Sequence, residues 1–290
     1  IMAHPTSTCL ARRGRRCSPR IRAAGGEAKS IMHNLAIATA NLFPPNALPL
    51  TTARRGSGVL IRAHLPEQRD RFAIATAAHV AEFAGTKNKL EVRFGDGTTA
   101  LTEVCTAHVE HDAAVLRFLD WEPSDELADA AFEVNPTLVV APDEEMVAAG
   151  IPMAWSPGAL QPSLESRGGG LLAPWQRVKY GTGEVTATFQ FDDRDEVDES
   201  VATHVLHTAR TENGASGGPL VRLRDGALVG VNSVGDREDH LAVSVSVIAA
   251  LLAGVDFDGD PRWQPEGIGT VNRRAEQRGD AVLALVYGDD

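Results

Sequence analysis

The stretch "NGASGGPLV", Asn213 to Val221, sets one serine, Ser216, among three glycines just ahead of a proline. Glycine gives up more conformational freedom than any other residue when ordered, so such a cluster marks a tight turn or a close backbone approach. A serine hydroxyl is a weak nucleophile until a base takes its proton, and that base works best when a carboxylate orients it. Two upstream stretches supply these groups. "FAIATAAHVAEF" places His79 directly after a β-run, where a helical turn should begin, and "HDAAVLRF" places Asp112 immediately before another β-run. The order along the chain is therefore His79, Asp112, Ser216, with a glycine, Gly214, two residues before the serine.

The elements around these residues are many and short. From the paired prolines Pro44 and Pro45 to about Val255 the chain alternates brief runs rich in Val, Leu, Ile, Thr and Phe with turn residues. "GVLIRAH", "RFAIATA", "LEVRFGDG", "TLVVA", "GEVTATFQF" and "HLAVSVSV" are examples, and "RDGA" between two apolar runs reads as a hairpin turn. This spacing predicts an all-β sandwich or barrel. "HNLAIATANLF" has the spacing of a short helix stopped by Pro44, and "SVIAALLAGV" reads as a terminal helix. "PSDELADAAFEVNP" fits a linker or short helix between two groups of strands. "SPGALQPSLESRGGGLLAPWQR" is a surface insertion by composition. The acidic run Asp192–Glu199 reads as a solvated hairpin tip, since it lacks the turn glycine of a calcium loop.

Bulk composition narrows the partners. The 290 residues are 43% hydrophobic and 23% charged, as in ordinary globular chains, and the formal net charge is -11. Residues 1–30 carry +6, which leaves -17 on the remainder. An acidic body argues against nucleic acid as a partner, because phosphate binding needs a basic face. The stretch 1–31, with "ARRGRRCSPRIR", reads as a basic, disordered leader, and Met32 as a candidate start. Residues 31–53 lack charge until Arg54 but are broken by His33, Asn34, Asn41 and three prolines, so no membrane span is expected there. Of three cysteines, Cys9 and Cys17 fall in the leader and Cys105 in the body, which leaves the body no internal pair and leans towards a reducing, cytoplasmic setting. His108, His204 and His207 have no cysteine or carboxylate at ligand spacing, so neither a metal nor another cofactor is expected.

Six motifs in order carry a family resemblance over about Thr51 to Val255. They are "GSGVLI" (Gly56–Ile61), "TAAHV" (Thr76–Val80), "HDAAVL", "GIP" (Gly150–Pro152), "NGASGGPL" and "GVNSVG" (Gly230–Gly235). Together they resemble the trypsin-like serine peptidases, in particular the compact bacterial kind related to the HtrA proteases, without room for the PDZ domain that follows the protease there. The resemblance implies two antiparallel six-stranded β-barrels, about 51–135 and 136–256, with the site in the cleft between them and a short C-terminal helix. Residues 257–290 would be a tail or the start of a further segment. It implies a serine endopeptidase acting on protein or peptide through an acyl-enzyme. Ser216 would be the nucleophile, His79 the base and Asp112 its orienting acid, and the amides of Gly214 and Ser216 would form the oxyanion hole. Ser233, Val234 and Gly235 would pair with the substrate backbone. Arg210 would lie near the base of the pocket for the side chain preceding the cut, which leans specificity towards Glu or Asp.

Two rival readings stand beside this one. Gly214 to Gly218 also fits the G-x-S-x-G elbow of α/β-hydrolases, but an elbow serine opens a helix, whereas Pro219 and the β-rich "LVRL" follow here. A trypsin-like fold kept only for binding is the other. Where animal digestive enzymes carry an aspartate before the nucleophile to receive a freed N-terminus, this chain has Ala215, so control would come from elsewhere, for instance a regulatory partner.

Overall fold

The protein is described by a computed structural model covering residues 27–45, 56–63, 71–152, 178–190, 202–235 and 239–255. Residues 1–26 of the leader expected over 1–31, the Gly/Pro-rich insertion, the acidic run Asp192–Glu199 and residues 257–290 lie outside these described residues, whereas residues 27–31 belong to the first helix.

Helix α1 (Glu27–Ala38) runs straight into strand β1 (Thr39–Phe43). The expected helix over "HNLAIATANLF" is thus half right: it begins earlier and stops at Ala38. Thr39 and Phe43 favour extended backbone, and β1 gains strands on both sides, pairing Thr39 with Val59 and Phe43 with Glu91. The next strands are β2 (Gly56–Ala63), β3 (Arg71–Thr76), β4 (Lys89–Arg93), β5 (Thr99–His108) and β6 (Ala113–Phe118). They follow the order β1-β4-β5-β6-β3-β2, and the β1–β2 pairing closes the sheet into an antiparallel barrel. A two-residue strand, β7 (Phe132–Glu133), adds to β2 in parallel. Between β3 and β4 lie helix α2 (Ala78–Ala81) and a 3₁₀ stretch, Glu82–Lys87. The linker before β7 holds helix α3 (Asp125–Ala130), whose N-cap Ser124 accepts a bond from Leu127 N–H and whose first turn carries Asp125 and Glu126.

The second barrel contains β8 (Glu145–Gly150), β9 (Lys179–Phe189), β10 (His204–His207), β11 (Pro219–Arg222), β12 (Leu228–Gly235) and β13 (His240–Ser244). It closes in the order β10-β13-β12-β11-β8-β9. The "RDGA" turn joins β11 to β12, with Gly226 at a left-handed φ of 73°. Helix α4 (Val245–Ala253) is capped by Ser244 and buries Val245, Val247, Ile248 and Leu252. The run "TLVVA" is not a strand; Val139 within it is 74% exposed, while Leu138 and Val140 on either side pack against the second core.

Each barrel has a filled interior. Leu42, Leu60, Ile74, Leu90, Leu116 and Val104 are fully buried in the first, with Phe94 stacked on Trp121 at 5.6 Å. Met146, Val185, Val205, Leu220 and Val229 fill the second. Helix α1 belongs to both halves, since Ile31 joins the first core while its Cγ1 lies 3.1 Å from where a β-carbon on Gly226 would stand. Among the described residues no helix is long and apolar enough to cross a membrane.

Candidate active site

His79 follows β3 by way of Ala77, whose extended backbone starts the short helix α2, and only 7% of it is exposed. Asp112 ends the turn between β5 and β6 at a φ of 58°, a left-handed conformation that aspartate tolerates better than most side chains. The turn aims its carboxylate at His79. Oδ1 accepts from the His79 backbone N–H at 3.0 Å, and Oδ2 accepts from ring Nδ1 at 2.8 Å. An ionised carboxylate can only accept, so Nδ1 carries the proton and Nε2 is left as the basic nitrogen. Burial pushes the Asp112 carboxyl up, but the facing imidazole and the bonds from His79 and Ser233 outweigh it and hold it below the ordinary carboxylate range.

Ser216 lies in the loop before β11. Its hydroxyl donates to the Ser233 carbonyl at 3.0 Å, while the Ser233 hydroxyl donates to Asp112 Oδ2. Ser233 therefore touches both ends of the constellation, the carboxylate by its side chain and the serine by its backbone. Sequence reasoning gave Ser233 only a backbone role; the hydroxyl contact spans 121 residues and has no local signature.

The glycines around Ser216 are required by space. Gly214 and Gly217 have φ of 98° and 83°. A β-carbon on Gly217 would fall on Thr76 Oγ1 and the Ser57 carbonyl, and one on Gly218 would fall on the Ala149 carbonyl. Gly150, the glycine of "GIP", passes equally close to Ala215. The loop is thus pressed between β2–β3 of one barrel and β8 of the other. Asn232 adds to it: its backbone carbonyl accepts from Gly217 N–H at 2.6 Å, and its Nδ2 donates to the Gly218 carbonyl at 3.0 Å. The amides of Gly214 and Ser216 donate to no acceptor among the described residues.

The pocket beside this loop has a volume of about 510 Å³, and its lining includes Gly150, Tyr180, Arg210, Thr211, Ala215 and His240. Arg210 is exposed and makes no hydrogen bond or ion pair with any described residue. His240, which sequence reasoning did not single out, is buried and its Nδ1 lies 2.8 Å from Thr211 Oγ1. Its ring fills the space a side chain at Gly235 would need, so Gly235 opens the wall that His240 occupies. Pairing of β12 with β11 stops at Val231, so Ser233 and Val234 carry no neighbouring strand on that edge among the described residues. No group of three or more His, Cys, Asp or Glu able to hold a metal occurs among the described residues.

The trypsin-like peptidase domain pattern matches residues 56–231, more than half of the chain. Among solved structures, the chain is similar to that of the serine endoprotease from Yersinia pestis, with a TM-score of 0.52 and 18% sequence identity. That match covers 78% of this chain and 67% of the Yersinia chain, and at such identity it speaks to the fold alone. No curated protein sequence matches. With two closed barrels in the expected order and the family pattern spanning both of them, the chain belongs to the trypsin-like peptidase family.

Proposed function

We propose that this chain is a serine endopeptidase in which Ser216, His79 and Asp112 form the catalytic triad. The observation that carries the reading is the pair of bonds from His79 to one buried carboxylate, which leaves Nε2 as the basic nitrogen. The Ser216 hydroxyl turns about its Cα–Cβ bond from the Ser233 carbonyl to Nε2 and gives up its proton as Oγ attacks the scissile carbonyl. The new oxyanion is met by the unpaired amides of Gly214 and Ser216, each worth about 3–4 kcal/mol in such a transition state. His79 then delivers the proton to the leaving amine, and the acyl-enzyme forms. Water, deprotonated by the same nitrogen, releases the acid and restores Ser216. Substrate backbone pairs along Ser233–Gly235, where β12 meets no further strand on one edge among the described residues.

The test is reaction with a fluorophosphonate, which needs an activated serine. The wild-type chain is expected to label and to cleave unfolded protein. Ser216→Ala is expected to do neither while keeping its thermal midpoint, and Asp112→Asn to lose about 10⁴ in kcat because the imidazole takes the wrong tautomer. Labelling that persists in Ser216→Ala removes the assignment. A folded wild type that neither labels nor cleaves leaves the fold as a binding module.

The pocket supports a preference for acidic side chains before the cut. Arg210 lines it and pairs with none of the described residues, and His240, whose Nδ1 lies against Thr211 Oγ1, is a second cationic candidate there. The Lys179–Glu212 pair at the rim is exposed and neutralises itself at 2.9 Å. A charge-assisted bond is worth about 1.5–3 kcal/mol, so Arg210→Ala should lower kcat/KM for glutamyl substrates by about 10- to 100-fold and leave others unchanged. Cleavage-site profiling on a denatured proteome checks this. A preference for Val, Ala or Leu that survives Arg210→Ala ends the idea.

A further inference from the structure

Ser57, the serine of "GSGVLI", lies in β2 with none of its surface exposed. Although it belongs to the first barrel, it makes three hydrogen bonds to the second. Its backbone N–H donates to the Ser216 carbonyl at 2.8 Å, and its hydroxyl donates to the Gly214 carbonyl at 2.7 Å. The same hydroxyl oxygen accepts from Ile151 N–H at 2.8 Å. Its own carbonyl accepts from Thr76 Oγ1 at 2.7 Å, so Ser57 is itself held. One residue therefore ties down the carbonyls on both sides of Ala215, and anchors the end of β8 beside them.

The need for such a tie follows from the loop's composition. Glycine takes either sign of φ at little cost, so the Asn213–Gly214 peptide could turn over and point the Gly214 amide away from the substrate. Ser57 holds the next peptide, Gly214–Ala215, and the one that follows Ser216, and so fixes the backbone on which both amides hang. The Ala215 side chain has no polar atom that could reach across to the other barrel; its methyl packs on Gly150, and its backbone bonds stay local, to Glu212 and Gly218. We infer that Ser57 is a positioning residue that keeps the Gly214 and Ser216 amides aimed at the developing oxyanion, acting from the opposite barrel. The inference rests on the peptidase reading above and assigns Ser57 no contact with substrate.

The test compares Ser57→Ala with wild type using two peptides drawn from a site that the wild type cuts. One ends in an aldehyde, which forms a hemiacetal oxyanion on Ser216; the other ends in the free carboxylate and forms no covalent bond. Ser57→Ala is expected to lower kcat by about 10- to 100-fold, a fraction of the cost of losing an oxyanion donor outright, with KM changed less than about threefold. The aldehyde should lose affinity in the same proportion while the carboxylate peptide does not. A role in stability alone would shift the thermal midpoint and leave the ratio of the two affinities where it was. Should Ser57→Ala fail to fold by circular dichroism, Ser57→Cys keeps the size with a weaker donor, and the same ratio should fall by a smaller factor. An unchanged ratio in a folded variant, with an active wild type, overturns the role of Ser57 and spares the peptidase reading. A folded wild type that neither cleaves nor labels with fluorophosphonate overturns both.

Discussion

His207 is the residue whose chemistry departs furthest from its ordinary behaviour outside the candidate triad. It is fully buried in β10 and stacked on His240 at 5.8 Å between ring centres. Burial first, and the charge of His240 second, lower its pKa to about 3 from an ordinary value of 6.5. Between those values the unfolded chain binds a proton that the native chain refuses. Stability is therefore full above about pH 6.5 and falls as pH drops towards 3, by up to about 1.4 kcal/mol per pH unit from this group. Denaturant titrations from pH 7 to pH 4 should show His207→Leu losing less stability than wild type across that window; parallel curves would refute the effect. None of this was legible in the sequence, where His207 stood among nine histidines with no mark of burial. His79, Asp112 and Ser216 were legible because nucleophilic chemistry dictates their types and order. Ser57 and the hydroxyl contact of Ser233 were not, because a serine's role is set by what lies across the cleft, 157 residues away for the Ser57 bond to Gly214.

At the scale of elements, the loop Gly214–Gly218 is the most constrained segment, and Gly217 its least replaceable member. Alanine there meets two penalties at once: a left-handed φ of 83° and a methyl placed on Thr76 Oγ1 and the Ser57 carbonyl. The backbone penalty alone is about 1–2 kcal/mol, and the steric conflict with main chain adds to it, so Gly217→Ala should cost about 3 kcal/mol or more. Chemical denaturation measures this directly, and a loss under about 1 kcal/mol would mean that the loop can move aside. By contrast Gly85, also at positive φ, has open space around it, so Gly85→Ala should incur the backbone term only. Element types were mostly readable, since alternating β-branched runs, a "RDGA" turn and an apolar terminal helix each have a local cause. The failure at β1 is instructive. In "ATANLF" the extended preference of Thr39 and Phe43 is offset by two alanines, a leucine and an asparagine, and pairing with β2 and β4 decides that it becomes a strand.

For the molecule as a whole, α1 is a strap rather than an appendage. Ile31 is 7% exposed, belongs to the first core and reaches the β11–β12 turn of the second barrel at Gly226. Ile31→Ala should therefore cost about 2–4 kcal/mol, as buried isoleucine truncations do, and loosen how the barrels sit together. A matching chain that begins at residue 27 should keep its stability, whereas one that begins at Met32 should show the Ile31 loss in its thermal midpoint. An unchanged midpoint in both would show that α1 contributes nothing to the pairing of the barrels.

The order in which the barrels close has a consequence for how the chain is made. Barrel one is complete with β6 at Phe118, and His79 and Asp112 are then already bonded. Ser216 is synthesised about a hundred residues later, and its loop can seat only on a Ser57 that is already in place. Domains fold largely as they emerge from the ribosome, so on the proposed triad the nucleophile would meet its base last. During most of translation the growing polypeptide would then carry the proposed base and acid but no hydroxyl to activate. Hydrolytic capacity would thus arise only when β12 and β13 seal the second barrel, and a stalled or shortened product would be harmless to its neighbours.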